Sequence, residues 1–368
     1  MKPRVIYRFL SLIAFIGLFS SCNNERGKAM VVSDKTDAYI IDMSEVQRLE
    51  NTREVIAEIE FIPLETNTKS LIADVDKIVF HRDRFYVLDK HFHALKVFSE
   101  EGKYLFDVGR IGRGPGEFTT LMDFCIDPDE EKLLLLSNNE KALLTYDLDG
   151  IYLETTRVNI FASSFSKYEN RYYYFINQNE NEVSGRYNLI VMNENSNVLE
   201  RLFPFSQTLN SGLSSASFLV RNRGRLLFHP TLSDTVFQLI DGDAYPKYIF
   251  DFGEKTLPES FRSSSENYKT PQKYEYAHLR DHFVDAKEVL SFNYIDKRSP
   301  ISAYCSKGAV DTAGGVKVLK PVRLGFPLFG KPALGLIGED TFITYVKAGF
   351  ADSIRDGTMS EDLLKTVV

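Results

Sequence analysis

The sequence predicts an all-β protein, a β-propeller of six four-stranded blades with a helical insertion near residues 258–288. The main observation is a recurring pattern of three short apolar runs, separated first by a polar gap and then by a turn with Asp, Asn or Gly. The first three copies begin about 40 to 50 residues apart, a spacing typical of four-stranded blades. The aromatic residues, 28 Phe and 19 Tyr with no Trp, are of the types that favour strands.

The clearest copy of the pattern is RFYVLDKHFHALKVFSEEGKYLFDVG. It predicts strands at Phe85–Leu88, Leu95–Phe98 and Tyr104–Val108, with Glu101-Gly102 as a hairpin turn.

Later copies of the pattern begin at Lys132, Arg171 and Arg225. Asp149-Gly150 and Asp241-Gly242 take the place of the hairpin turn in two of them. Five blades are recognised from these runs and a sixth is inferred, with Val55–Glu65 expected to supply a strand that helps to close the ring.

The composition changes between residues 256 and 288, where a Ser-rich stretch is followed by a segment with the pattern of an amphipathic helix. We interpret this segment as an insertion between blades, within a propeller domain that covers residues 46–368.

The N-terminus has the pattern of an export signal. Lys2, Arg4 and Arg8 precede an apolar run from Phe9 to Phe19 that is too short to span a bilayer. Two serines and a cysteine follow, as in the lipobox of bacterial lipoproteins, so residues 1–21 are predicted to be removed and Cys22 to be lipidated. An ordinary signal peptide that happens to end beside a cysteine is the alternative. Residues 22–45 are predicted to form a polar tether.

Loss of residues 1–21 removes three positive charges and no acid, which shifts the net charge from −7 to about −10. An acidic exported protein is poorly suited to bind nucleic acid or an anionic membrane surface. The remaining cysteines, Cys125 and Cys305, lie in apolar runs, which favours two buried free thiols over a disulfide.

A glycine-rich stretch, DVGRIGRGPGEF from Asp107 to Phe118, has the composition of a phosphate-binding loop. It lacks the Gly-Lys-Ser/Thr sequence of such loops, Pro115 removes a backbone donor, and a strand rather than a helix is predicted to follow. The stretch therefore does not predict nucleotide binding.

We interpret this stretch as a crowded crossover between blades, where backbone close approach and positive φ require glycine. The glycines concerned are Gly109, Gly112, Gly114 and Gly116. Three charged residues, Arg110, Arg113 and Glu117, are then placed at the mouth of the propeller channel, where the arginines could bind an anionic ligand. A local Arg–Glu pair that stiffens the loop is the alternative.

A resemblance to a known family is carried by EIEFIPLETNTKSLIADVDKIVF, FYVLD, VFSEEGKYLFDVGRIGRGPGEF and TYDLDG. These segments resemble the six-bladed β-propeller lipoproteins of Bacteroidota, whose architecture is related to that of NHL-repeat propellers. The resemblance is strong from residue 58 to residue 150. It implies an outer-membrane lipid anchor, facing the periplasm or the cell surface, and a link to glycan uptake.

Candidate metal ligands are few. Asp89, His91 and His93 form one group, and His278 and His282 would lie one helical turn apart in the predicted insertion helix. Neither group has an evident further ligand that would complete a site, so no cofactor is predicted, although calcium or zinc in the channel stays open. Asp123 and Asp127 could line that channel together with Asp89.

No nucleophile motif such as G-x-S-x-G occurs. Tyr172, Tyr173 and Tyr174 could form a platform for sugars, or could pack in the core as strand residues. The sequence thus predicts a non-enzymatic cell-envelope lipoprotein that binds a partner protein or an oligosaccharide. A metal-dependent hydrolase or lyase with its site in the channel is the alternative.

Overall fold

The structure is a computed structural model that describes residues 38–49, 60–205, 219–308, 310–313, 316–324 and 333–345. The export signal and Cys22 lie outside the described residues. Two short strands begin the described part of the chain: β1 (Tyr39–Asp42) and β2 (Gln47–Leu49).

The first sheet contains four consecutive antiparallel strands. They are β3 (Lys77–His81), β4 (Arg84–Asp89), β5 (Ala94–Ser99) and β6 (Tyr104–Asp107). The strands and the turn predicted here are confirmed, and Gly102 takes the positive φ of +82° that this turn requires. The two middle strands are almost wholly buried because both of their faces are covered, whereas β6 alternates between half-buried and exposed residues.

A two-stranded parallel ladder follows, made of β7 (Arg110–Ile111) and β8 (Glu117–Phe118). Two further four-stranded sheets then repeat the pattern of the first. The second contains β9 (Asp123–Asp127), β10 (Lys132–Ser137), β11 (Ala142–Asp147) and β12 (Tyr152–Arg157). The third contains β13 (Ser164–Tyr168), β14 (Arg171–Phe175), β15 (Tyr187–Met192) and β16 (Val198–Pro204).

The fourth sheet begins in the same way and is then extended. Its consecutive strands are β17 (Leu219–Asn222), β18 (Arg225–Phe228), β19 (Thr235–Ile240) and β20 (Asp243–Asp251). Strand β1 pairs with β20 in parallel, so this sheet continues beyond its fourth strand.

The segment after β20 contains only short helical turns before the chain returns to strand. Gly253–Lys255 and Pro271–Glu275 are 3-10 turns, and α1 (Glu259–Arg262) and α2 (Ser265–Tyr268) have four residues each. The amphipathic helix predicted here is wrong, because Ala277–Asp285 forms strand β21. Its buried Leu279 and Phe283 flank a register shift, which hides the two-residue period in the sequence.

The fifth sheet contains β21, β22 (Val289–Asp296), β23 (Ser299–Ser306), β26 (Val322–Leu324) and β2 in spatial order. Between β23 and β26 the chain forms a hairpin, β24 (Val310–Ala313) and β25 (Val316–Leu319), and β25 adds to the fourth sheet beside β1. A last hairpin contains β27 (Gly335–Ile337) and β28 (Thr341–Ile343), and β27 lies beside β3.

The sheets are arranged as in a propeller. The first strands of the second to fifth sheets lie next to one another in chain order, and a buried apolar cluster fills the space between each pair of successive sheets. A further cluster joins the first sheet to the last hairpin. The cores therefore lie between sheets, as expected for blades that stack face to face around an axis.

Three expectations about the architecture differ from the structure. Four sheets, not six, contain four consecutive antiparallel strands among the described residues, because the fifth is completed by β26 and β2 and the last hairpin has two strands. Residues 55–59 of the expected ring-closing strand lie outside the described residues, and 60–65 form no strand. Strand β1 lies within residues 22–45, where a tether was expected. It pairs with β20 and β25, more than 200 residues later in the chain, and no local sequence pattern indicates such distant partners.

Candidate functional site

The side-chain carboxylate of Glu117 fills the space inside the glycine-rich loop. Arg110 Nε lies 2.7 Å from Glu117 Oε1, and the backbone N–H of Gly114 donates to Glu117 Oε2 at 2.8 Å. The Gly114 N–H and the Arg110 side chain lower the pKa of Glu117. The Arg110 side chain and the Gly114 N–H, which could have donated to an anionic ligand, therefore donate to Glu117. This is the local Arg–Glu pair that the sequence left open as the alternative. Arg113 is exposed on the same loop.

Two of the four loop glycines need positive φ. Gly109 has φ +67° and Gly116 has φ +70°, and a Cβ on Gly116 would lie 2.7 Å from Cγ of Tyr152. Gly112 and Gly114 are instead adjacent to the Glu117 side chain, so their lack of a side chain makes room for that carboxylate.

The loop packs on the third and outermost strands of the second sheet. The Tyr146 hydroxyl on β11 donates to the Gly116 carbonyl at 2.6 Å, and Tyr152 lies on β12. The sequence placed Arg110, Arg113 and Glu117 at the channel mouth. The structure places them on the outer part of a sheet, because the chain crosses from β6 to β9 over those outer strands.

The weak metal candidates in the first sheet do not converge. The buried carboxylate of Asp89 accepts hydrogen bonds from the N–H groups of Ala73 and Phe92. His93 Nδ1 accepts from the Leu121 N–H at 3.3 Å, whereas His91 is exposed. The described residues contain no group of three or more His, Cys, Asp or Glu side chains placed to hold a metal ion. His278 and His282 lie on strand β21, not one helical turn apart.

The carboxylates predicted to line the channel are bound by protein groups. Asp123 accepts from Lys77 Nζ at 2.8 Å and from the Phe165 N–H at 2.9 Å. Asp127 forms an ion pair with Lys167 at 2.8 Å, and Arg221 lies 3.9 Å from it. These contacts join the innermost strands of neighbouring sheets, so the loss of one partner would leave a buried charge unpaired between two sheets.

A cleft of about 290 Å³ lies between the second and third sheets. Its volume is near the lower end of ligand sites, which suits a small unit such as one sugar ring. Most of its lining is polar. The polar lining residues are Asp127, Glu130, Lys132, Thr145, Glu154, Thr156, Lys167, Tyr172, Tyr174, Asn193, Glu194 and Ser196.

Strand alternation divides the three consecutive tyrosines of β14 between two environments. Tyr173 is buried in the core between the third and fourth sheets. Tyr172 and Tyr174 face the cleft on the other side, with parallel rings whose centroids are 6.5 Å apart. Tyr172 is half-buried, so one aromatic ring of the predicted platform is accessible from the cleft.

Lys167 lies in the innermost part of the cleft, where its ammonium forms ion pairs with Asp127 and Glu130. Burial opposes its charge, but the hydrogen bonds to the two carboxylates outweigh burial and raise the pKa of Lys167. Hydrogen bonds from Lys132 and Lys167 lower the pKa of Glu130 to about 2.

Apart from Asp127, which was expected in the channel, sequence analysis did not single out the charged residues of this cleft. Glu154 and Thr156 lie two residues apart on β12 and face the same side, but only the packing of two sheets brings them opposite Tyr172. The polar run ETTR at the end of β12 is the one local signal that could have indicated a polar face.

Fold and cleft together define an all-β, propeller-like protein with a polar, ligand-sized cleft between two blades. The family model described as a domain of unknown function (DUF4934) matches residues 38–313, and the chain belongs to that family. Among curated proteins, none matches the chain.

Several solved structures are similar to this chain. A Bacteroides fragilis protein, provisionally described as exported, is 16% identical, with 89% of this chain and 96% of that chain covered and a TM-score of 0.66. A DUF4221 family member from Bacteroides vulgatus is 10% identical over 73% and 85% of the two chains, with a TM-score of 0.45. An inactive virginiamycin B lyase from Staphylococcus aureus is 10% identical over 72% and 76%, with a TM-score of 0.41. Only the first similarity is strong enough to carry an argument, and it shows the fold alone.

The described residues form no helix long and apolar enough to cross a membrane.

Proposed function

We propose that this chain is a non-enzymatic lipoprotein of the cell envelope that binds part of an oligosaccharide in the cleft between its second and third sheets. The observation that carries the proposal is the cleft itself, in which the half-buried ring of Tyr172 lies among hydroxyl, amide and carboxylate groups. Sugars present apolar ring faces and many hydroxyls, so an aromatic ring surrounded by hydrogen-bonding side chains matches their surface.

Two observations support the choice of this cleft over the other sites predicted from the sequence. Arg110 of the glycine-rich loop is paired with Glu117, and Asp123 and Asp127 on the innermost strands are paired with lysines. In the cleft, by contrast, polar groups line an open space of about 290 Å³.

The envelope location rests on the N-terminal sequence, in which Cys22 follows an apolar run and two serines. The similarity to a protein provisionally described as exported is consistent with it. We further propose an anchor in the outer membrane and a role beside glycan uptake.

The anchor is tested by metabolic labelling with a palmitate analogue. The full chain should carry the label, and the Cys22→Ser chain should not. Label retained by Cys22→Ser would contradict lipidation at this residue.

Sugar binding is tested by titrating the mature chain, with Cys22→Ser to keep it soluble, against a panel of oligosaccharides in a calorimeter. Tyr172→Ala should weaken binding about tenfold or more, because the ring supplies the apolar contact. The matched control is Phe92→Ala, which removes an exposed ring from a turn of the first sheet and should leave affinity unchanged. No measurable binding across the panel would contradict the proposal.

A further inference from the structure

The charges that line the cleft fall into two groups. Near the innermost strands, Asp127 and Glu130 are matched by Lys167 and Lys132. Two carboxylates and two ammonium groups in mutual contact leave little net charge in that part of the cleft.

The second group consists of Glu154 and Glu194, which line the cleft from opposite sheets. Both side chains are exposed, and neither has an ion-pair partner among the residues that the structure describes. Burial raises the pKa of the Tyr172 hydroxyl, the Lys167 ammonium 5.8 Å from the centre of the ring acts against this rise, and the charge of Glu194 adds to it. The opening of the cleft is therefore negative.

The Tyr174 hydroxyl is a further hydrogen-bonding group that the cleft offers to a ligand. Tyr174 is only 1% exposed and lines the cleft, and no hydrogen bond of its hydroxyl is found within the described part of the chain. The Tyr174 oxygen is not among the fully buried side-chain atoms that lack a partner, so water in the cleft reaches it and a polar ligand group can take the place of that water.

We propose that the cleft selects oligosaccharides of amino sugars whose amines are free and protonated. This inference rests on the proposed function, and it names the class of sugar. An ammonium group on the sugar ring would lie between Glu154 and Glu194, while the ring contacts Tyr172. A neutral sugar of the same size would make the aromatic contact but would leave both carboxylates without a cation.

The test compares two ligands of equal length that differ only at nitrogen, glucosamine oligomers and N-acetylglucosamine oligomers. Calorimetric titrations of the mature Cys22→Ser chain at about pH 6 keep the glutamates ionised and the free amines protonated. We expect the glucosamine oligomer to bind about tenfold more tightly, with an affinity that falls as salt is added.

Two variants test whether the carboxylates of the cleft cause the selectivity, and a third variant is their control. Glu154→Gln and Glu194→Gln should each reduce the preference for the free amine, measured as the ratio of the two affinities, about three-fold. Glu100→Gln, an exposed glutamate on a turn of the first sheet, is the matched control and should change neither affinity.

The outcomes separate this inference from the proposed function. Equal affinity for the two oligomers, or a preference that survives in the double variant Glu154→Gln/Glu194→Gln, would overturn amino-sugar selectivity while leaving carbohydrate binding in place. Absence of binding to both oligomers and to the whole oligosaccharide panel would overturn the proposed function and this inference with it.

Discussion

The Tyr146 hydroxyl donates a hydrogen bond of 2.6 Å to the carbonyl of Gly116, and both residues are buried. Tyr146 lies on the third strand of the second sheet, and Gly116 closes the glycine-rich loop that arrives from the first sheet. Burial raises the pKa of this hydroxyl to about 12, so it remains a donor throughout the physiological range. The Tyr146 side chain thus links the loop between the first and second sheets to the second sheet.

Tyr146→Phe should therefore destabilise the protein by about 1–3 kcal/mol, because it leaves the Gly116 carbonyl buried without its donor. Chemical denaturation of the purified variant measures the loss. Tyr172→Phe is the matched control, since no hydrogen bond of its hydroxyl is found in the described residues, and it should unfold like the parent chain. Equal stability of Tyr146→Phe and the parent would contradict the structural role of this bond.

Gly116→Ala should be more destabilising than Gly114→Ala. Gly116 has φ +70° and packs against the Tyr152 ring, so a Cβ there meets both backbone strain and a close contact, with a cost of about 1 kcal/mol or more. Gly114 lacks a positive φ, and its Cβ would lie 3.1 Å from a side-chain oxygen of Glu117. Thermal melts of both variants check the order, and a lower melting temperature for Gly114→Ala would contradict it.

The repeating part of the fold could be predicted from sequence because its determinants are local. Strands β4, β5 and β6 were each predicted to within about a residue or two at either end, since a continuous apolar run marks a strand covered on both faces and Gly102 marks the turn. The same signals identified the hairpin turns at Gly150 and Gly242, both of which have positive φ.

Features that depend on distant partners could not be predicted. Strand β1 is a four-residue run whose partners, Tyr248 and Lys317 among them, follow more than 200 residues later. Strand β21 carries a register shift that removes the two-residue period from its sequence. The cleft is of the same kind, because Glu154 and Glu194 come from different sheets and only the packing of the ring brings them together.

Both cysteines within the described residues should be unreactive in the native protein. Cys125 and Cys305 are free and buried, and burial raises the pKa of the Cys125 thiol to about 12, so almost no thiolate is present at neutral pH. In the Cys22→Ser chain, a thiol-specific reagent should modify neither residue until denaturant is added and then modify both without reductant. A requirement for reductant would indicate a disulfide and contradict this prediction.

The stability of the protein should fall with acidification in a window set by His278. Burial, and then the positive charges nearby, lower the pKa of this imidazole to about 4. Those charges are Arg262, Lys273, Arg280 and His229. In the unfolded chain the pKa of a histidine is about 6.5, so between about pH 6.5 and pH 4 the unfolded state binds a proton that the folded state does not.

His278 therefore disfavours folding progressively as the pH falls through that window, with a slope of at most about 1.4 kcal/mol per pH unit. His278→Leu should remove this part of the pH dependence. Denaturant unfolding at a series of pH values from about 7.5 to 4.5 measures the free energy of unfolding of both chains, and the parent should lose stability relative to His278→Leu as the pH is lowered. His91→Leu, at an exposed histidine, is the control and should follow the parent at every pH. A difference between the parent and His278→Leu that stays constant with pH would show that the imidazole titrates normally in the folded protein.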